Sequence, residues 1–269
     1  MSEKSRKLIT RFHPSHGTNI ILYDDNTVAY RKASFADALT FSEKPLQPGE
    51  IFLLEIEKHE RGWSGHMRLG LTQIDPRTVD RNGIPQYALP NMVKMGQSWI
   101  FAITSCPNVN IEGITRYGES ILLQERKLKT DGVTVQTSRG LIPYAALTPN
   151  LAQNDISQDP LPTETGSRIG VMYVPQAGTD LAEMHFIING VDQGVCGKDI
   201  PYREGPLHAV VDVYGTTKQV RIVQLYGVST LQSACRDAIL QYTKLNAVDS
   251  LPLPQILKDF LLYQNQESQ

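Results

Sequence analysis

HFIINGVD, residues His185 to Asp192, is the stretch whose reading decides the fold class. His185–Ile188 and Val191–Asp192 are strand formers, and Asn189–Gly190 stands between them. Asn-Gly at that place predicts a type I′ hairpin, because both central residues of such a turn need positive φ. Short β-branched or aromatic runs recur on either side, cut by Gly, Pro, Asn and Asp at intervals of roughly 8–12 residues, the pattern of an all-β domain. Asn19–Tyr23 leads through Asp24–Asp25–Asn26 to Thr27–Arg31. Ile51–Glu57 and Met67–Thr72 flank the turn-rich Lys58–His66, and Trp99–Thr104 is a further apolar run that reads as core. Leu207–Tyr214 and Gln219–Tyr226 read as one more hairpin around Gly215–Lys218. Helical periodicity is scarce before residue 227, so an antiparallel β-sandwich is expected rather than βαβ units.

Residues 105–167 give weak strand signals, and Asn150–Thr165 is rich in Asn, Asp, Gln, Pro and Thr. Part of this stretch reads as a long loop or insertion. At Gly227 the period changes. In STLQSACRDAILQYTKL, Leu231, Cys235, Ile239 and Tyr242 recur at i, i+4, i+8 and i+11, an apolar stripe on a helix. Ser229 or Thr230 would cap it. Leu251–Pro252–Leu253–Pro254 is extended by its prolines, and a second helix starts at Pro254, with Ile256, Leu257, Phe260, Leu261 and Tyr263 on its apolar side.

Length and charge limit the function. The 269 residues hold one large β domain or two ordinary ones, and 26 Lys+Arg balance 28 Asp+Glu. No broad field is offered to nucleic acid or an anionic membrane. The first residues, MSEKSRKLITRFH, have no apolar run of signal-peptide length, and no later segment is long enough to span a bilayer. Cys106, Cys196 and Cys235 form no CxxC pair and no disulfide framework, which fits the reducing cytoplasm. His59 and His66 near Glu57 and Glu60 lack HExxH spacing, so no metal is expected. Gly190, Gly194 and Gly197 serve a hairpin rather than a phosphate cradle, and no nucleophile elbow or P-loop is present. Neither a catalytic residue nor a cofactor is expected.

The first tail helix alone fits two readings, a stripe that enters a partner's groove or a stripe packed on its own domain. The Leu-Pro-Leu-Pro element downstream, followed by another amphipathic helix, makes the tripartite tail resemble a SOCS box. That resemblance implies elongin C (with elongin B) on Leu231, Cys235 and Ile239. It implies the fifth cullin, with its RING partner, on Leu251, Pro252, Leu253 and Pro254. Leu257, Phe260 and Leu261 would pack the tail. Thr230, where Ser is commoner, is a mild departure.

Upstream, RFHPSHGTNIIL, ASFADALTFSEKPLQPGEIFLLEIE, GWSGHMRLGLTQIDP, HFIINGVDQG and LHAVVDVYGTTKQVRIV together resemble a neuralized homology repeat. The resemblance implies a SPRY-like β-sandwich that recognises a protein. The expected organisation is a flexible residue 1–10 segment, a repeat over 11–226 interrupted at about 105–167, and a SOCS box over 228–269. Other neuralized proteins end in a zinc-binding RING finger. Three scattered cysteines cannot build one, so ligase activity would be supplied by partners. A non-catalytic substrate receptor is therefore expected. The alternatives are a stand-alone binding sandwich and an enzyme on a jelly-roll scaffold. The target protein is unidentified in the sequence, and its surface is expected on end loops, with His59, Arg61 and Trp63 as candidates. Trp63 could alternatively fold inward as a core plug.

Overall fold

The computed structural model describes residues 9–79, 83–104, 111–112, 127–149, 160–227 and 245–262, with Cys235, Ile239, Tyr242 and Thr243. Two antiparallel sheets face one another. The first holds, in spatial order, β1 (Ile20–Tyr23), β2 (Val28–Arg31), β15 (Thr217–Ile222), β4 (Phe52–His59), β11 (Arg168–Pro175), β12 (Ala182–Ile188) and β13 (Val191–Ile200). The second holds β3 (Leu39–Phe41), β14 (His208–Asp212), β5 (Arg68–Thr72), β6 (Ser98–Ile103) and β7 (Ile111–Glu112). Between them lies the main core, where Leu54, Ile56, Val171, Tyr173, Phe186 and Val220 meet Leu69, Leu71, Ile103, Ala209 and Val211. Trp99 is half-buried against this core. No helix among the described residues is long and apolar enough to cross a membrane.

The outer faces are covered as well, which explains why several strands are apolar throughout instead of alternating. Leu39, Phe41, Ile100 and Val210 turn outward from the second sheet and meet Ile84, Ala88 and Met92 of the loop after β5. Ile51, Leu53, Met172 and Ile187 turn outward from the first sheet and meet Val135, Ile142 and Leu147. Those last three come from the stretch expected to be partly loop. Its described part folds into a small sheet, β8 (Lys129–Thr130), β9 (Thr134–Thr137) and β10 (Gly140–Pro143), followed by a 3-10 turn at Tyr144–Ala146. Part of the insertion is thus a roof over the sandwich. Its strands are short, and although Val135 and Ile142 pair with each other, the sandwich residues that bury them lie far away in sequence, so local pattern carries little of the signal.

The Asn189–Gly190 turn has φ of 49° and 85°, as a type I′ turn requires. The other expected hairpin is corrected. β14 pairs with β3 and β5 in the second sheet, whereas β15 pairs with β2 and β4 in the first. Residues 213–216 therefore carry the chain from one sheet to the other. Gly215 (φ 59°) makes the crossing possible, because a Cβ there would lie 2.2 Å from the Gly65 carbonyl oxygen.

The roof is held by the Arg139–Glu50 ion pair (2.7 Å), by the Arg168 guanidinium donating to the Ala146 carbonyl (2.9 Å), and at its start by the Asp192 carboxylate. Asp192 Oδ2 accepts hydrogen bonds from the backbone N–H groups of Lys127 (2.8 Å) and Leu128 (3.0 Å), and Oδ1 accepts from Gly194 (2.8 Å). His185 Nδ1 lies 3.1 Å from the same Oδ1, fully buried. Asp192→Ala leaves these buried donors without an acceptor and should cost roughly 2–4 kcal/mol of stability. Hydrogen exchange of residues 127–149 should accelerate selectively. Uniform exchange across the sandwich would show that Asp192 does not fasten the roof.

Candidate interaction surfaces

The tail carries its own small core. Val248, Leu261 and Leu262 are buried together, with Leu251 and Leu253 packed against them. The last helix, α1 (Gln255–Leu262), begins one residue later than expected, and the Pro254 carbonyl accepts from Leu257 and Lys258. Of the three expected packing residues, Leu261 is buried and Phe260 half-buried, while Leu257 is 45% exposed. Leu262 takes the buried place that the expectation assigned to Leu257, because the inward face is set by Val248 on the preceding turn. Pro252 and Pro254 are exposed, alternating with the half-buried Leu251 and Leu253.

On the first tail helix Cys235, Ile239 and Tyr242 are helical and exposed, Tyr242 at 86%. Leu231 and the capping positions Ser229 and Thr230 lie outside the described residues, as do Tyr263 and Cys106. The exposed Cys235 contrasts with Cys196, whose thiol is pushed up to about 12 by burial and is inert.

A second surface forms at one end of the sandwich, where the β2–β3, β4–β5, β5–β6 and β14–β15 connections meet. Phe35 is its centre. Trp63 packs edge-on against it (centroids 5.0 Å), Tyr214 likewise (4.6 Å), and Tyr87 lies 6.2 Å away. Trp63 is 40% exposed, so it is no core plug. Beneath Tyr214, the Arg68 guanidinium carbon lies 3.6 Å from the ring centroid. Asp212 Oδ2 pairs with Arg68 at 3.4 Å and accepts from Ala88 N–H at 3.0 Å.

Polar contacts fix the rim. Glu60 accepts from Trp63 Nε1 (2.9 Å) and Lys218 Nζ (2.8 Å), and its carboxylate lies 3.1 Å from Arg31. Lys218, and then Arg31 and the indole N–H, hold the Glu60 carboxyl below its ordinary range. Of the expected target-contacting residues, Trp63 joins the aromatic ridge, while His59 at the end of β4 and Arg61 are exposed beside it. Sequence reasoning missed Phe35, Tyr87, Arg31, Arg68 and Asp212. The available signal was a charged residue closing or opening each of three apolar strands, in VAYR, RLGLT and HAVVD.

Comparison with known proteins follows the same division. A Neuralized family model matches residues 12–224, and a SOCS box model matches residues 227–262. The chain is 41% identical to Neuralized-like protein 2 of Mus musculus, over 95% of this chain and 92% of that protein. It is 31% identical to the mouse E3 ubiquitin-protein ligase NEURL3 over 36% of this chain and 39% of that one. The solution structure of the NHR domain of Drosophila melanogaster Neuralized superposes with a TM-score of 0.52 at 22% identity, covering 83% of this chain and 95% of that domain. The last likeness establishes the sandwich fold.

The Asp212 carboxyl generates a pH prediction. Burial raises its pKa from 3.8 to about 6, against the opposing effects of Ala88 and Arg68, and its Oδ1 has no hydrogen-bond partner among the described residues. The unfolded chain releases this proton near 3.8, and the folded chain holds it to about 6. The group's contribution is therefore fully present below 3.8 and lost as pH rises through about 6. Asp212→Asn should remove this pH dependence, worth up to about 3 kcal/mol. The melting temperature of the variant minus that of the wild type should rise between pH 4 and pH 7. A pH-independent difference would contradict the assignment.

Proposed function

The chain belongs to the Neuralized family and carries a SOCS box behind its Neuralized domain, and from that premise we propose that it is the non-catalytic substrate receptor of a cullin–RING ubiquitin ligase. The sandwich binds the target, and the tail docks on elongin C (with elongin B) and on the fifth cullin with its RING partner. The carrying observation is that Cys235, Ile239 and Tyr242 are exposed and that, among the described residues, none of them belongs to the tail core. A stripe required by its own domain would be buried there. The receptor contributes proximity and orientation, while the transfer chemistry belongs to other subunits.

The tail is tested by two separate changes. Truncating a central anchor of such a contact costs roughly 2 kcal/mol or more, and an added ring overfills a close-packed groove. Leu231→Ala with Cys235→Phe should therefore abolish co-purification of elongin C. Replacing Leu251, Pro252 and Pro254 with Ala should spare elongin and weaken cullin capture. Wild-type elongin capture by the first variant refutes the docking assignment. Loss of both partners from the second would mean that these residues hold the tail's fold.

The target surface is the aromatic ridge around Phe35 and Trp63. Exposed Lys32, Lys58, His59 and Arg61 surround it with no ion-pair partner among the described residues, whereas Glu60 is already engaged by Arg31 and Lys218. This balance favours a target segment that presents an apolar group beside carboxylates. Trp63→Ala removes an edge-on ring contact at the surface and should cost only about 1 kcal/mol of stability. Partners captured by a tail-deleted chain should nevertheless be lost. A large fall in melting temperature, or unchanged capture, would remove Trp63 from the target surface.

A further inference from the structure

Among the described residues, the tail is joined to the sandwich at two places along the chain. The first is covalent and well anchored, since the Tyr226 hydroxyl accepts from Ile51 N–H at 2.8 Å before the chain leaves at Gly227, where a Cβ would meet nothing within 4 Å. The second is Arg203, on the loop between β13 and β14. Its Nε donates to the Tyr202 hydroxyl at 3.3 Å, and its Nη1 lies 3.0 Å from Asp180 of the sandwich. The same Nη1 donates to Asp249 of the tail at 3.0 Å.

Each side of this contact also has partners within its own part of the molecule. The Arg203 side chain is only 11% exposed, and sandwich groups fix its direction. Asp249 sits in the 3-10 segment Leu245–Ser250, next to fully buried Val248, and its carbonyl accepts from Lys258 Nζ of α1 at 2.7 Å. A pull on Asp249 is thus transmitted to the whole tail core. Two residues later comes Leu251, the first residue of the Leu-Pro-Leu-Pro element. An exposed ion pair contributes little to stability. As a second point of attachment it restricts orientation instead, since one tether leaves rotation free and two do not.

We infer that Arg203 is a positioning residue: by holding Asp249 it sets the angle between the recognition sandwich and the docking tail. That angle determines which lysines come within reach of transfer, a consequence that rests on the ligase reading above. The orientation itself does not depend on that reading.

Small-angle scattering of the full chain, alone and mixed with elongins B and C, tests the latch. Arg203→Glu, which repels both Asp180 and Asp249, should increase the radius of gyration and broaden the distance distribution. Arg203→Glu with Asp249→Arg should restore the wild-type curve, because the new Arg has both Glu and Asp180 to face. About 0.5 M salt should loosen the wild type toward the single variant, as screening requires. Asp249→Ala, which leaves Arg203 with Asp180, should open the tail without lowering the melting temperature of the sandwich. In the reconstituted ligase, self-ubiquitination should spread to more lysines of the sandwich in Arg203→Glu and return to the wild-type pattern in the reversed pair. Superimposable scattering of the wild type, Arg203→Glu and Asp249→Ala overturns the latch, and so does failure of the reversed pair to restore the curve. A wild type that does not bind elongins, while its variants still open, overturns the ligase reading and leaves the latch standing.

Discussion

Arg31 has no exposed side-chain surface, and its guanidinium is engaged by the carbonyls of Ala33, Gly215 and Thr217 and by the Glu60 carboxylate. These acceptors belong to three different connections, so one side chain joins the exit of β2, the β4–β5 loop and the crossing between the sheets. A buried cation is tolerated only when its donors are satisfied, and deleting a partner is far more damaging than never having built the pair. The crossing in turn places Tyr214 against Phe35, and Glu60 holds the indole of Trp63. The aromatic ridge is therefore a consequence of how the sandwich closes. Its rings are placed by the same hydrogen bonds that let the chain change sheets.

The two ends of the molecule are built on different physical terms. The sandwich has a continuous core and a rim ordered by ion pairs and ring contacts. The tail has a core of a few residues and leaves much of its apolar surface outward, including Ile256 at 62% exposure. Apolar side chains left outward in this way are characteristic of a piece completed by a partner. The division fits the receptor role proposed above.

Much of this was legible in the residues. The Asn189–Gly190 turn and the strands around it were readable because type I′ geometry admits few residue types. The helical stripe and the Leu-Pro-Leu-Pro element were readable because spacing alone carries them. The pairing of β14 and β15 was misread for a physical reason: a short loop with a glycine between two apolar strands is the same local signal whether the strands pair or part company. What separates the cases is that β14 and β15 each have both edges occupied, by β3 and β5 and by β2 and β4. That is a fact about strands distant in sequence. The roof was missed likewise, since Val135 and Ile142 become core only against Ile51 and Met172. Of the recognition rim, Trp63 was readable as a large ring in a glycine-bearing loop, but Phe35 and Tyr87 are brought to it from other connections. Leu262, which the pattern did not single out, is buried while Leu257 is exposed, because a short helix leaves the choice of inward face to its neighbour.

The small sheet over Ile51, Leu53, Met172 and Ile187 turns the first sheet into the middle storey of a three-storey building. A middle storey cannot bow toward water on either side, because close-packed side chains above and below resist any change in its curvature. The loops that spring from its strands inherit that stiffness. Less freedom remains to be lost when a target settles on them, so the same contacts yield tighter capture than they would on a sheet open to solvent. The described residues of the insertion share no hydrogen bond or ring contact with the ridge, so under the proposed reading the insertion would act on recognition through rigidity.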